Sequence, residues 1–325
     1  MSSRKKVYCT AKLTLDVREL LRDFDVEVYE GPLPIPLELL KEKIIEVDGL
    51  ITMLTDKIDA SVLANAQKLK IIANYAVGFD NIDISECTKR GITVTNTPDV
   101  LTDATAELAW ALVFAVARRV IQAHKFVEAN KWKSWSPTLF LGKEIRGKTV
   151  GVVGAGRIGT AFAMKSKGFD TKILYFSRKT NAILEENLGA KKVSLEDLLK
   201  ESDIISLHLP LTPETYHIIG EKEFNLMKPE AIFINTGRGK LVDEKALIRA
   251  LKERRIFGAG LDVFEHEPHV PEELKELDNV VLLPHIGSAT IEARTKMVNL
   301  VAENIKAFFS GQMPPNVVNK ELYGL

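Results

Sequence analysis

Residues 150–159 read Val-Gly-Val-Val-Gly-Ala-Gly-Arg-Ile-Gly, and few stretches restrict a fold so tightly. Val150, Val152 and Val153 are β-branched and suit a buried strand. Gly154, Gly156 and Gly159 follow at the spacing G-x-G-x-x-G, and residues 160–167 then read as a helix. In such a strand–turn–helix each glycine has its own duty. Gly154 allows the tight turn, Gly156 lets backbone approach a pyrophosphate, and Gly159 lets the helix pack on the strand. Ala155, Arg157 and Ile158 fill the positions between, and the helix N-terminus offers unpaired N–H groups to phosphate. The stretch is expected to bind a dinucleotide.

The second strand of the unit is expected at 172–176, and its end decides which dinucleotide. A site for NAD carries Asp or Glu there, about 20 residues beyond the glycines, to accept from the ribose hydroxyls. This chain has Ser177-Arg178-Lys179 instead. No carboxylate stands there to repel a phosphate, and a hydroxyl with two cations can hold the 2′-phosphate of NADP. Hydrogen bonds to charged groups contribute on the order of 1.5–3 kcal/mol each, so one good contact shifts preference by roughly ten- to a hundredfold. Taken without their position, Arg178 and Lys179 would be a solvated loop. At a strand end they favour NADP(H), with NAD(H) as the alternative cofactor.

The 325 residues suffice for two domains of ordinary size. Lysine plus arginine and aspartate plus glutamate number 44 each, which removes the electrostatic case for a nucleic acid or anionic membrane partner. The longest apolar run, 108–117, is too short to span a bilayer. Cys9 and Cys87 lack metal-ligand spacing and are expected as buried thiols in a reducing cytoplasm.

Strands are expected at 7–9, 26–29, 50–53 and 69–73, with helices at 13–21 and 37–46, the alternation of a small open α/β sheet. A single long helix over 101–128 is apolar on more than one face and should be buried against a second domain or a second subunit. Strands at 149–153, 172–176, 204–207, 231–235, 258–262 and 280–283 then match a doubly wound parallel sheet. With that series complete, the helix at 290–309 should return to the first domain. The expected fold is α/β, with two doubly wound parallel-sheet domains: a Rossmann-type nucleotide-binding domain (100–287) inserted into a flavodoxin-like substrate domain (1–99 and 288–325).

Three residues past strand ends could carry chemistry, since ligands of open α/β sheets bind beyond the carboxyl ends of the strands. Arg238 lies in Asn-Thr-Gly-Arg-Gly, residues 235–239, and its planar fork suits a carboxylate. His285 lies in Leu-Pro-His-Ile-Gly-Ser, residues 283–288, and Glu267 in Asp-Val-Phe-Glu-His-Glu-Pro, residues 262–268. A histidine beside a carboxylate keeps its proton more readily and is held in one orientation, as a general acid needs. On the residues alone, Glu265 or His266 could equally be the partner of His285.

Several motifs occur together and in order: Asn-Tyr-Ala-Val-Gly-Phe-Asp-Asn-Ile-Asp (74–83), Asn-Thr-Pro-Asp-Val-Leu-Thr-Asp-Ala-Thr-Ala-Glu (96–107), the glycine fingerprint, and Leu-His-Leu-Pro-Leu-Thr (207–212). Thr-Gly-Arg-Gly (236–239), Gly-Leu-Asp-Val-Phe (260–264), Glu267-Pro268 and Pro-His-Ile-Gly-Ser-Ala (284–289) complete the set. Over nearly its whole length the chain resembles the D-isomer-specific 2-hydroxyacid dehydrogenases, and within them most the glyoxylate/hydroxypyruvate reductases. The resemblance implies that Arg238, Glu267 and His285 are catalytic. It implies that the backbone at Val77 and Gly78 holds the substrate carboxylate with Arg238, and that Leu54 lines the pocket. It places Ser177 and Arg178, with Lys179, at the extra phosphate, Asp262 at the nicotinamide carboxamide, and His208, Pro210, Thr236, Gly237, Ile286 and Gly287 along the cofactor. No metal enters this reading.

The implied reaction is reduction of a small 2-oxo acid, glyoxylate or hydroxypyruvate, by hydride transfer, with Arg238 polarising the substrate and His285, kept protonated by Glu267, giving the proton. Other members of the superfamily, acting on D-lactate or phosphoglycerate, formate or phosphite, compete with it. A phosphoglycerate enzyme usually carries a further regulatory domain, and residues 286–288 hint at no additional group beside His285. A dinucleotide-sensing binding protein on the same scaffold is the competitor of a different class. The long helix and family habit suggest a homodimer. Trp132 and Trp135 either reach a pocket, across a dimer, or pack in a core.

Overall fold

In the computed structural model, which describes residues 4–325, all strand pairings within the two sheets are parallel. Parallel sheets are covered on both faces, so their central strands are apolar throughout rather than alternating. Gly49–Thr52, Ile71–Asn74, Ile204–Leu207 and Ile232–Asn235 are each buried at every residue. The chain divides into two units, one running to Leu101 and resuming at Ala289–Leu325, the other spanning Thr102–Ser288. No helix among the described residues is long and apolar enough to cross a membrane.

The first unit holds β1 (Lys6–Cys9), β2 (Asp25–Val28), β3 (Gly49–Thr52), β4 (Ile71–Asn74) and β5 (Thr93–Thr95) in the order β2-β1-β3-β4-β5. That is the flavodoxin-like order. The helix Ile291–Phe309 belongs to this unit, with Val301, Ala302 and Ile305 in one core with Val7, Cys9, Ile51 and Ile71. The helix expected at 13–21 is a single turn, Val17–Leu20, started by Asp16 accepting from the Arg18 N–H. Cys9 in β1 and Cys87 in the helix Ile84–Lys89 are free, buried thiols that burial pushes up to about 12.

The second unit holds β6 (Thr149–Val153), β7 (Lys172–Phe176), β8 (Lys191–Lys192), β9 (Ile204–Leu207), β10 (Ile232–Asn235), β11 (Gly258–Leu261) and β12 (Val280–Leu282). Their order, β12-β11-β10-β9-β6-β7-β8, is that of a Rossmann-type sheet. The chain moves outward from β6 and returns to β9 on its other side, which opens a crevice at their carboxyl ends.

The helix expected over 101–128 is two helices. Thr102–Ala117 ends before Arg119, whose φ of 52° is left-handed, and Val120–Glu128 sets off in a new direction. The first helix packs against the sheet of its own unit. Trp110 donates to the Phe162 carbonyl (2.8 Å), and a Cβ at Gly260 of β11 would stand 2.9 Å from Leu112 Cβ. Ala106, Ala109, Trp110, Leu112, Val113, Val116 and Ala117 are buried in that unit's core, whereas Leu108, Phe114 and Ala115 stay partly exposed.

Candidate active site

The three glycines have three distinct surroundings. Gly154 has a φ of +102°, and a Cβ there would meet the His208–Leu209 backbone at 2.7 Å, so the turn is closed to side chains. A Cβ on Gly159 would stand 2.1 Å from the Gly154 carbonyl oxygen, which fixes how closely helix and strand pack. A Cβ on Gly156 would meet nothing within 4 Å. Gly156 is also the N-cap of the helix Arg157–Lys165 and supplies no side-chain hydrogen bond to it, so the first N–H groups face that open side. Thr236 Oγ1 is buried without a partner. An anion cradle that only a missing side chain leaves open, and an unused hydroxyl beside Gly237, fit a dinucleotide.

Ser177 is half-buried at the end of β7, and Arg178 and Lys179 are exposed. Two residues not foreseen hold this turn. Lys192 Nζ, from β8, donates to the Arg178 carbonyl (3.0 Å). Asn181 Nδ2 donates to the Ala155 carbonyl (3.0 Å) and to Thr160 Oγ1 (2.7 Å), tying the turn to the glycine loop. Glu214 lies within electrostatic reach of Arg178; its carboxyl is held below the usual range by the Thr212 hydroxyl first, then by local backbone and the Arg178 charge. Pro210 is exposed in the same segment. His208 donates its N–H to the Val153 carbonyl (2.8 Å), and its ring is 2.9 Å from Ser206 Oγ and packed on Phe162. Burial pushes that imidazole down to about 3, so it stays neutral and is no proton donor at neutral pH.

Arg238, Glu267 and His285 follow β10, β11 and β12, three neighbouring strands. Asn235 braces the arginine turn, accepting from the Gly237 N–H (3.0 Å) and donating to the Arg238 carbonyl (2.9 Å). Arg238 Nη1 donates to the Gly237 carbonyl (2.9 Å). His285 Nδ1 is 2.7 Å from Glu267 Oε2, with 24% and 26% of the two side chains exposed. Burial alone would raise the Glu267 carboxyl. The His285 hydrogen bond and charge, the Phe264 N–H and the Arg238 charge outweigh it and hold the carboxyl below the usual range. Glu267 is therefore ionised at neutral pH and accepts, so Nδ1 of His285 carries a proton. Glu265, the other acid in the segment, pairs with His217 instead (2.9 Å), and His266 is exposed.

His285 has a φ of 55°, a left-handed conformation uncommon outside glycine. Asp262 stabilises it. Its carbonyl accepts from the His285 N–H (2.9 Å), and its two carboxylate oxygens accept from the N–H groups of Ile286 and Gly287 (2.7 Å each). Burial is the largest influence on the Asp262 carboxyl and leaves it raised despite those bonds. In the first unit, Leu54 is half-buried after β3, and Val77 and Gly78 are half-buried after β4. The Val77 carbonyl accepts from Asn96 Nδ2 (2.7 Å) and the Gly78 carbonyl from Asn74 Nδ2 (2.8 Å). In a trans peptide the N–H points away from the carbonyl, so holding Val77 O turns the Gly78 N–H to the opposite side. Trp132 and Trp135 are 58% and 79% exposed, which excludes the core-packing reading for both.

A crevice that fits a dinucleotide, with an arginine and a histidine–carboxylate pair on the adjoining strand ends, defines an oxidoreductase of the dinucleotide-binding class. The model of the D-isomer specific 2-hydroxyacid dehydrogenase NAD-binding domain matches residues 110–287. The chain is 57% identical to the glyoxylate reductase of Thermococcus litoralis over 324 residues, covering 98% of each. Among solved structures, the TT0316 protein of Thermus thermophilus superposes with a TM-score of 0.91 at 43% identity, covering 96% of this chain and 99% of that one. The NADPH-dependent glyoxylate/hydroxypyruvate reductase of Sinorhizobium meliloti, in complex with NADP and malonate, superposes with a TM-score of 0.85 at 35% identity, covering 97% of each. The chain belongs to the D-isomer specific 2-hydroxyacid dehydrogenases and is an NAD(P)-dependent oxidoreductase acting on small molecules.

Proposed function

We propose that this chain is an NADPH-preferring reductase of small 2-oxo acids, converting glyoxylate to glycolate and hydroxypyruvate to D-glycerate. The observation that carries the reading is the His285–Glu267 pair, 2.7 Å apart past the ends of β12 and β11, the strands that follow in order from β10, which leads to Arg238. The likeness to glyoxylate reductases over nearly the full length supports the substrate. Ser177-Arg178-Lys179 at the end of β7, with no carboxylate there, supports the preference for the phosphorylated cofactor.

In this mechanism Arg238 binds the substrate carboxylate and polarises the 2-oxo group, a preorganised charge placed where negative charge develops. The N–H groups at Val77 and Gly78 take the same carboxylate, and Leu54 packs against the substrate. The chemistry that bound NADPH supplies is hydride transfer to the carbonyl carbon. Gly154 to Gly159 hold the pyrophosphate; Ser177, Arg178 and Lys179 hold the 2′-phosphate; His208, Pro210, Thr236, Gly237, Ile286 and Gly287 line the remainder. Asp262 retains lone pairs beyond those given to Ile286 and Gly287, and these orient the carboxamide. His285 gives its proton to the oxygen that becomes the hydroxyl, while Glu267 compensates the imidazolium. In the oxidative direction the neutral imidazole removes that proton. Residues 100–287 thus serve the cofactor, and residues 1–99 with 288–325 the substrate.

The protein works as a homodimer in this reading. Exposed apolar residues between positions 127 and 141, Val127, Trp135 and Leu141 at 54%, 79% and 64%, support this by offering side chains that a partner could cover. The test of the function is steady-state reduction of glyoxylate and hydroxypyruvate with each cofactor. Absence of turnover with both acids would reject it.

A further inference from the structure

His217 touches both segments that carry the catalytic groups, through different atoms. Its backbone N–H donates to the Lys240 carbonyl (2.9 Å), on the turn of Arg238. Its imidazole Nε2 is 2.9 Å from Glu265 Oε1, on the loop that leads to Glu267. Glu265 is only 14% exposed and bonds further: its Oε2 accepts from the Glu244 N–H (3.4 Å), and its own N–H donates to Glu244 Oε1 (3.3 Å). The two segments also meet directly, since a Cβ on Gly239 would stand 1.9 Å from the Phe264 carbonyl. Phe264 in turn donates its N–H to Glu267 Oε1 (3.0 Å). His217 reaches this position at a φ of 50°, with its ring stacked 4.0 Å from Tyr216. A bulky residue held in a left-handed conformation is a reason to look for a role.

We propose that His217 is a positioning residue for the reaction, clamping the Glu265–Glu267 loop to the turn that carries Arg238. The proposal rests on the assignment of Arg238, Glu267 and His285 made above. The two halves of the clamp are separable by mutation. The backbone half survives any replacement of the side chain, so the Arg238 turn stays and substrate binding is kept. The imidazole half is lost on truncation, so Glu267, and with it the orientation of His285, is loosened.

The test compares His217→Ala, His217→Gln and Glu265→Gln in the full-length protein, with Glu267→Gln and Arg238→Ala alongside. All the replacements at 217 keep the left-handed backbone cost of a non-glycine residue, so their comparison isolates the side chain. His217→Ala should lower kcat for glyoxylate about tenfold or more, because small displacements of a catalytic group are costly. KM for glyoxylate and the Kd for NADPH should both stay within about threefold, because the groups that bind them are not displaced. His217→Gln, whose amide can donate to Glu265, should recover most of kcat. If His217→Ala folds poorly, Glu265→Gln, which removes the charge, should show the same loss confined to kcat. Wild-type kcat in His217→Ala overturns the proposal, as does a loss that Gln fails to recover or that falls equally on cofactor binding. If Glu267→Gln and Arg238→Ala remain fully active, the assignment of the catalytic groups fails and this clamp with it. If those two are inactive while His217→Ala is unimpaired, only the clamp fails.

Discussion

His285 Nδ1 and Glu267 Oε2 stand 2.7 Å apart, and the three consecutive N–H groups from His285 to Gly287 all end on Asp262. The first contact selects the tautomer of the histidine, and the second set holds its backbone in a conformation it would otherwise leave. His285→Ala should therefore lower kcat by about 10²- to 10⁴-fold, the usual contribution of a placed general acid. Glu267→Gln should also lower kcat, since the charge that compensates the imidazolium is gone. Melting curves should change little in either case, because neither side chain is part of a core. Wild-type turnover in His285→Ala would reject the role.

The pH response follows from the direction of the Glu267 shift. His285 and Arg238 hold the carboxyl below the usual range despite burial. Its folded pKa is thus depressed, so its interaction is intact above the ordinary value of about 4.3 and is lost as pH falls through the lowered one. Reduction should show its acid limb only below the usual glutamate range, and Glu267→Gln should lack it. The profile of kcat/KM against pH checks this, and an acid limb near pH 6 in the wild type would contradict it.

Cofactor choice is assigned to the turn after β7. Arg178→Ala should weaken NADPH by roughly ten- to a hundredfold while leaving NADH nearly unchanged, as loss of one charge-assisted contact predicts. Lys192→Ala, which frees the Arg178 carbonyl, should produce a smaller change in the same direction. Fluorescence titration with both cofactors measures the ratio.

Two of the fingerprint glycines should respond in opposite ways to the same added methyl group. At Gly159 it would stand 2.1 Å from the Gly154 carbonyl, and overpacking of this kind costs about 1–3 kcal/mol or more. At Gly156 it meets no protein atom within 4 Å, so stability should change by less than about 1 kcal/mol. It would nonetheless occupy the approach to the helix N-terminus, and cofactor affinity should fall at least about tenfold. Thermal denaturation set against cofactor titration separates the two effects.

The carboxyl-edge positions of Arg238 and His285 were legible because each follows a strand with a plain apolar run, whereas the strand before Glu267, Gly-Ala-Gly-Leu, was legible mainly from its place in the series. The choice of Glu267 over Glu265 was not. Both lie in one segment, and only folding shows that Glu265 turns to His217, 48 positions away along the chain. The break at Arg119 carries no glycine or proline to announce it. It is held by tertiary contacts, Asp278 at 3.6 Å and the Phe140 ring at 5.8 Å, which no local pattern encodes. β8, two exposed lysines, has no hydrophobic signal at all, and in β5 two threonines hide a fully buried strand. Trp132 and Trp135 were ambiguous because a large aromatic residue serves a core and an interface equally well.

The central claim is tested most directly by initial rates of cofactor oxidation with glyoxylate, using NADPH and NADH in parallel on the wild-type protein. Turnover with NADPH, at a kcat/KM at least about tenfold above that with NADH, is the result this account predicts. No turnover with either cofactor, or equal efficiency with NADH, would contradict it.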